Sequence, residues 1–64
     1  MDIRDKLLKY ITNKAINQSE IARRVGMTKD QLSKTLRKKR TLEANEFYSI
    51  CNALKITMDD LVNQ

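Results

Sequence analysis

The 64-residue chain contains no histidine, no tryptophan and no proline, and only one glycine and one cysteine. Each absence closes off a class of chemistry. Without histidine, the commonest general base and the commonest metal ligand are both missing. One cysteine makes neither an intrachain disulfide nor a zinc site. Cys51, next to Ile50 and three residues before Leu54, reads as a small core residue rather than a reactive thiol. A single glycine leaves no glycine-rich loop to cradle a phosphate group. Asp59 and Asp60 form the obvious carboxylate pair, but they fall at a helix start, where acids serve caps and the helix dipole. The expectation is a protein that is not an enzyme and has no cofactor, no metal and no small-molecule ligand. No apolar run approaches membrane-spanning length and no signal peptide is visible, so no membrane association and a cytoplasmic location are expected.

The length gives room for a single domain, expected over residues 1–64, with a thin stability margin. Aromatic residues make up 5% of the chain, so the core must be aliphatic. Charge is plentiful and uneven. Residues 1–40 carry twelve basic and four acidic side chains, a surplus of eight. Residues 41–64 carry one lysine and four acids, a deficit of three. One half therefore has the electrostatic character of a nucleic-acid binder.

The stretch from Asn17 to Arg40 organises the rest. Asn17 is placed to cap a helix, with Glu20 three residues on to reach back to the cap amide. Ile16 and Ile21 stand at the hydrophobic-staple spacing, and Ile21, Ala22 and Val25 share one helical face. Gly26 then suits the left-handed position that closes a helix. The same grammar recurs at once: Thr28 as cap, Gln31 as partner, Met27 and Leu32 as staple, Leu32 and Leu36 as buried face. A connection of about three residues joins the two helices, so they must cross steeply, as in a helix-turn-helix at about 17–37. Between Arg23 and Arg40 there are eight basic residues and one acid, Asp30. A solvated lysine-rich face is the plain reading of such a run. The capped hairpin and the mixed Gln, Lys and Ser surface of its second helix favour double-stranded DNA.

The segment INQSEIARRVGMTKDQLSKTLRKKR resembles the Cro and phage-repressor (XRE-type) helix-turn-helix family. Ile16, Gln18, Ile21, Ala22, Gly26, Met27, Thr28, Leu32, Ser33 and Lys34 occupy the places of the family pattern, and the flanking helices extend the resemblance over nearly the whole chain. It implies a lambda-repressor-like fold and a DNA-binding transcriptional regulator, with Lys29, Asp30 and Lys34 at the main base-contacting places and Gln18 at that of the phosphate-contacting glutamine. The family commonly has a glycine at the place of Lys38, so here a lysine takes the turn or the helix runs on. It also often pairs an arginine on the first helix with a glutamate on the third, where this chain has Ile11 and Leu36. The two are expected to touch.

The remainder fits an all-α bundle of five short helices. A first helix is expected over residues 2–12, with Ile3, Leu7, Leu8 and Ile11 on one face, and a fourth over 42–54, with Phe47, Ile50, Cys51 and Leu54 inward. A last helix is capped by Thr57, with Asp60 as partner and Ile56 and Leu61 as staple. Lys55 stands where a terminating glycine is common.

In a helix-turn-helix the second helix enters the major groove by its N-terminal end. Candidate base contacts are therefore Thr28, Lys29, Asp30, Gln31 and Lys34. Lys29 suits guanine, Asp30 cytosine N4, and Gln31 adenine if it points inward. For Asp30, base discrimination and service to the helix dipole are equally open. Candidate phosphate contacts are Asn17, Gln18, Ser33, Arg37, Lys38, Lys39 and Arg40, whereas Arg23 and Arg24 fit a solvated face at least as well. The expected partner is a palindromic operator bound by a homodimer, with Tyr48, Met58 and Val62 as dimer-surface or core residues. The rival is a protein-binding adaptor of antitoxin or anti-repressor type, using the same fold.

Overall fold

A computed structural model describes residues 2–63. Five helices follow in order: α1 (Ile3–Asn13), α2 (Gln18–Val25), α3 (Lys29–Leu36), α4 (Ala44–Leu54) and α5 (Met58–Val62). No strand occurs among the described residues. α2 packs against α3 and α4, and α1 packs against α3 and α5. α3 is thus held from both sides while its outer face stays open.

Four of the five helices start on a side chain that accepts from a free amide of the first turn. Asp2 caps α1 by accepting from the Arg4 amide, so the helix begins one residue later than expected. Asn17 Oδ1 accepts from the amides of Ser19 (2.8 Å) and Glu20 (3.3 Å). The expected return bond from Glu20 to Asn17 is not made, because the Glu20 carboxylate turns instead to Arg23 and Arg24. Thr28 and Gln31 form a complete capping box, as do Thr57 and Asp60. α4 begins two residues later than expected. Glu43 occupies its cap position, and its amide donates to Glu46 Oε1 at 3.1 Å.

Four of the helices close in the same way. The amides of Ile16, Met27, Lys39 and Ile56 donate to the carbonyls of Ile11, Ala22, Lys34 and Cys51, five residues back, at 2.8–3.0 Å. The residue before each donor is left-handed: Ala15 (φ 53°), Gly26 (φ 77°), Lys38 (φ 65°) and Lys55 (φ 59°). Only one of the four is glycine. A lysine therefore takes the turn after α3, and α3 does not run on. A Cβ in this region costs about 1 kcal/mol, partly offset because glycine is freer in the unfolded chain. Lys55→Gly is expected to stabilise the fold by about 0.5 kcal/mol, raising the melting temperature by about 3 °C. A thermal melt followed by circular dichroism reads this directly, and a lower midpoint would contradict it.

The core is a single aliphatic cluster with one or two residues from each helix: Leu7, Ile11, Ile21, Ala22, Leu32, Leu36, Ile50, Cys51 and Leu61. Ile11 and Leu36 are both 1% exposed and belong to this cluster. Ile3, Leu8, Val25, Phe47 and Leu54 pack around its edge, half-buried. Burial raises the Cys51 thiol pKa, in keeping with its reading as a core residue.

Thr35 is the one fully buried polar side chain among the described residues. Its hydroxyl donates to the Gln31 carbonyl at 2.8 Å and accepts from Arg40 Nη1 at 3.1 Å, so its hydrogen-bonding capacity is met internally. Among the described residues no buried side-chain polar atom lacks a partner. Tyr48, Met58 and Val62, left open between core and surface by the sequence, are exposed at 74%, 54% and 49%.

Candidate nucleic-acid interface

The cap at Thr28 fixes where α3 begins, and Leu32, Thr35 and Leu36 fix which side faces inward. The residues between them must point out. Thr28, Lys29, Asp30, Gln31 and Lys34 are all exposed, and Ser33 is half-buried. The structure thus leaves the five expected base-reading residues accessible, four at the start of α3 and Lys34 one turn on.

Their internal bonds shape what each can offer. Gln31 Oε1 accepts from the Thr28 amide at 2.9 Å, and Thr28 Oγ1 accepts from the Gln31 amide at 3.0 Å. A bidentate pair with adenine uses both the oxygen and the nitrogen of an amide side chain. For Gln31 that pairing competes with the cap, whereas its Nε2 remains a donor. Asp30 Oδ2 lies 3.1 Å from Lys34 Nζ, one turn along the same face. An exposed pair at this spacing contributes only about 0.3–0.5 kcal/mol, so it opens easily when a base offers better partners. Closed, it presents an acceptor beside a donor.

Of the eight basic residues between Arg23 and Arg40, five have carboxylate partners. Arg23 and Arg24 share Glu20, which their hydrogen bonds hold below its ordinary pKa, Arg23 foremost. Lys34 pairs with Asp30, and Lys38 reaches Asp5 on α1 at 3.0 Å. Arg40 is bound to Glu46 through two hydrogen bonds, at 3.0 and 2.8 Å. Lys29, Arg37 and Lys39 are exposed and have no ion-pair partner among the described residues. These three cations are the ones immediately available to phosphate.

On α2, Asn17 Oδ1 already serves two amides, so its contribution at the expected phosphate site is to the helix start itself. Gln18 follows it, half-buried at the first helical position. Its amide has no acceptor among the described residues, which leaves one N–H and the side chain to face an anion.

Sequence reasoning gave Arg40 a phosphate, and the structure ties its guanidinium within the protein to Glu46 and Thr35. Arg4 is bound to Asp2, and its Nη1 also donates to the Arg40 carbonyl at 3.1 Å. The signals for this were present but quiet: a polar Thr35 on an apolar helix face, and a Glu-x-x-Glu start whose second glutamate, Glu46, lies six residues beyond Arg40.

The chain matches the Cro/C1-type HTH DNA-binding domain over residues 6–63. It belongs to that family. No curated protein and no solved structure matches it. In a helix-turn-helix the second helix is the one that meets the major groove, and α3 holds that place in this Cro/C1-type domain. No helix among the described residues is long and apolar enough to cross a membrane.

The electrostatics of the domain predict its acid response. Asp2, Glu20 and Glu46 each have a carboxyl pKa held below the ordinary value. The causes are, first in each case, hydrogen bonds from Arg4, Arg23 and Arg40. A carboxyl whose folded-state pKa is depressed stabilises the fold above its unfolded value, and that contribution is lost as pH falls through the folded value. Melting temperature should therefore be flat above about pH 5 and fall below about pH 4. The acid loss should shrink at high salt, because all three pairs are partly exposed. A midpoint that rises on acidification would contradict this.

Proposed function

We propose that this domain is a sequence-specific, double-stranded DNA-binding transcriptional regulator of Cro-like or repressor-like type. It acts in a prokaryotic cytoplasm by occupying an operator. The observation that carries the reading is the outer face of α3, where Thr28, Lys29, Asp30, Gln31 and Lys34 stand exposed at a capped helix start. Base contacts come from these residues. Phosphate contacts come from Gln18 and Ser33 on the approach and from Arg37 and Lys39 at the exit, with Lys38 joining when it leaves Asp5. Such contacts set register, and the α3 face supplies sequence discrimination.

One copy spans only a few base pairs, so the functional unit is a homodimer on a palindrome with half-sites about one DNA turn apart. Tyr48, Met58 and Val62 supply its surface. They are the large apolar residues that stand exposed among the described ones, and all lie on α4 and α5. If each protomer engages about four phosphates, the log–log salt slope of the dimer is about −7.

The experiment is selection of bound sites from a random double-stranded pool at near-physiological salt. An enriched palindrome with half-sites about ten base pairs apart is the expected result. Binding without enrichment, lost as salt rises, would reduce the basic face to electrostatics. Asp30→Ala then asks what the carboxylate does. We expect it to relax preference at the base pair nearest Asp30 by about 1–3 kcal/mol. Tighter binding to every sequence, with no change in preference, would assign Asp30 to the helix dipole alone.

A second reading has one observation in its favour. Phe47, Tyr48, Cys51, Ile56 and Met58 line an open apolar groove of about 470 Å³ between α4 and α5. A protein-binding adaptor would use that groove and leave the α3 face idle. A failed selection combined with a monomeric free protein would favour it.

A further inference from the structure

The turn after α3 carries four consecutive basic residues, and one of them faces the other way. Arg37 and Lys39 are exposed and make no ion pair among the described residues. Arg40 folds back on the protein. Its guanidinium grips Glu46 with Nη1 and Nη2, and Nη1 also donates to Thr35 Oγ1 at 3.1 Å and to the Thr41 carbonyl at 3.3 Å. From the opposite side, Arg4 holds the Arg40 carbonyl, and Asp5 holds Lys38. We propose that Arg40 is a positioning residue for DNA binding: clamped by Glu46 and Thr35, it sets the shape of the α3–α4 loop that presents Arg37 and Lys39 to phosphate, and it does not itself grip the backbone. The inference rests on the DNA-binding reading above.

Three observations converge on it. The Arg40–Glu46 pair is among the less exposed ion pairs of the domain, with side chains 33% and 19% accessible. Freeing Arg40 for a phosphate would leave the Glu46 carboxylate without an ion pair and would take the side-chain donor from Thr35. The bond set also needs a planar, forked cation, since several N–H groups must reach acceptors in different directions. Finally, residues 37–43 contain neither glycine nor proline, and Lys38 sits in a left-handed conformation. Local backbone bonds end with that from the Lys39 amide to the Lys34 carbonyl; among the described residues the amides of Arg40, Thr41 and Leu42 make none, so the course of the loop from there depends on side-chain ties. A loop ordered before binding saves the cost of ordering it on the DNA.

The test uses Glu46→Gln, Arg40→Gln, the charge-neutral Arg40→Gln/Glu46→Gln pair, and Arg37→Ala as a phosphate-contact reference. Glutamine at 46 still accepts from the Glu43 amide, so the start of α4 survives. Binding to labelled double-stranded DNA of mixed sequence is followed over a salt series, at a temperature where melts show each variant folded. The clamp predicts an unintuitive sign. Glu46→Gln removes a negative charge near DNA and should nonetheless weaken binding, about threefold to tenfold. The neutral pair should weaken it about tenfold with the salt slope unchanged, whereas Arg37→Ala should flatten the slope by about 0.9 per protomer. A merely structural weakening of the fold would not spare the slope while lowering affinity in a fully folded variant. Tighter binding by Glu46→Gln, or an Arg40→Gln slope loss equal to that of Arg37→Ala, would overturn the inference and make Arg40 a phosphate contact. NMR titration of Glu46 in the free protein separates the two levels. An ordinary carboxyl pKa there would remove the clamp itself. A wild-type protein that binds no duplex at low salt would end the DNA-binding reading, and the inference with it, whatever Glu46 does.

Discussion

Replacing Leu36 with glutamate is expected to unfold the domain at room temperature. Leu36 is 1% exposed, in the one aliphatic cluster that all five helices share. A carboxylate there has no cation within the core to meet it. Leaving one buried charge unpaired costs about 3–5 kcal/mol, and the lost leucine packing adds to this. A domain of this size has a total stability of about 3–10 kcal/mol, so the substitution consumes most or all of it. The companion is Ile11→Arg. Ile11 is equally buried, on the helix packed against α3. Each single variant should lose its cooperative melt. The double variant Ile11→Arg/Leu36→Glu, which installs the pairing common in the family, should recover part of the loss, since each charge then has a partner. A Leu36→Glu protein that melts like the parent would show that the site is not the core position described. A double variant no better than either single would show that the two positions do not meet.

The fold was readable because local signals and hydrophobic period agreed. Thr28 with Gln31, Thr57 with Asp60, and Asn17 each mark a helix start by short-range chemistry that needs no tertiary context. The stripe positions Leu7, Ile11, Ile21, Leu32, Ile50 and Leu61 are all buried. What was less readable depends on residues distant in sequence. Glu20 has two possible occupations, the cap behind it or the arginines ahead, and two cations outcompete one amide. The left-handed turn at Ala15 carries no residue signature, because the closing bond from Ile16 to Ile11 imposes it. Charge was the least legible feature. The sum over Arg23–Arg40 is strongly positive, yet Asp5, Glu20, Asp30 and Glu46 each engage part of it. Only with side chains placed does the run of cations divide into three free ones and five that are tied.

The proposed dimer depends on the apolar residues that α4 and α5 leave exposed. Tyr48→Glu is expected to abolish dimer formation and to halve the salt dependence of DNA binding, from a slope of about −7 to about −3.6. Tyr48 is 74% exposed, so in the isolated protomer the change should cost little stability, within about 0.5 kcal/mol. In a two-fold interface every residue appears twice, so one substitution places two carboxylates near the axis. That part of the chain is already acidic, since residues 41–64 carry Glu43, Glu46, Asp59 and Asp60 against one base, Lys55. A stable interface buries about 800 Å² per partner, against a total accessible surface of 4312 Å² for this domain. That is a large share for three apolar side chains to anchor. The free dimer should accordingly be weak and be completed on the operator, where two half-sites bring the protomers together at high effective concentration. Sedimentation equilibrium of the free protein and a salt series on the selected palindrome read the two consequences separately. The expected pattern is a concentration-dependent dimer for the parent, a monomer for Tyr48→Glu, and a half-slope complex on a single half-site. If the variant still dimerises and keeps the full slope, the contact between copies lies elsewhere, and the exposed face of α4 and α5 is free for a different protein.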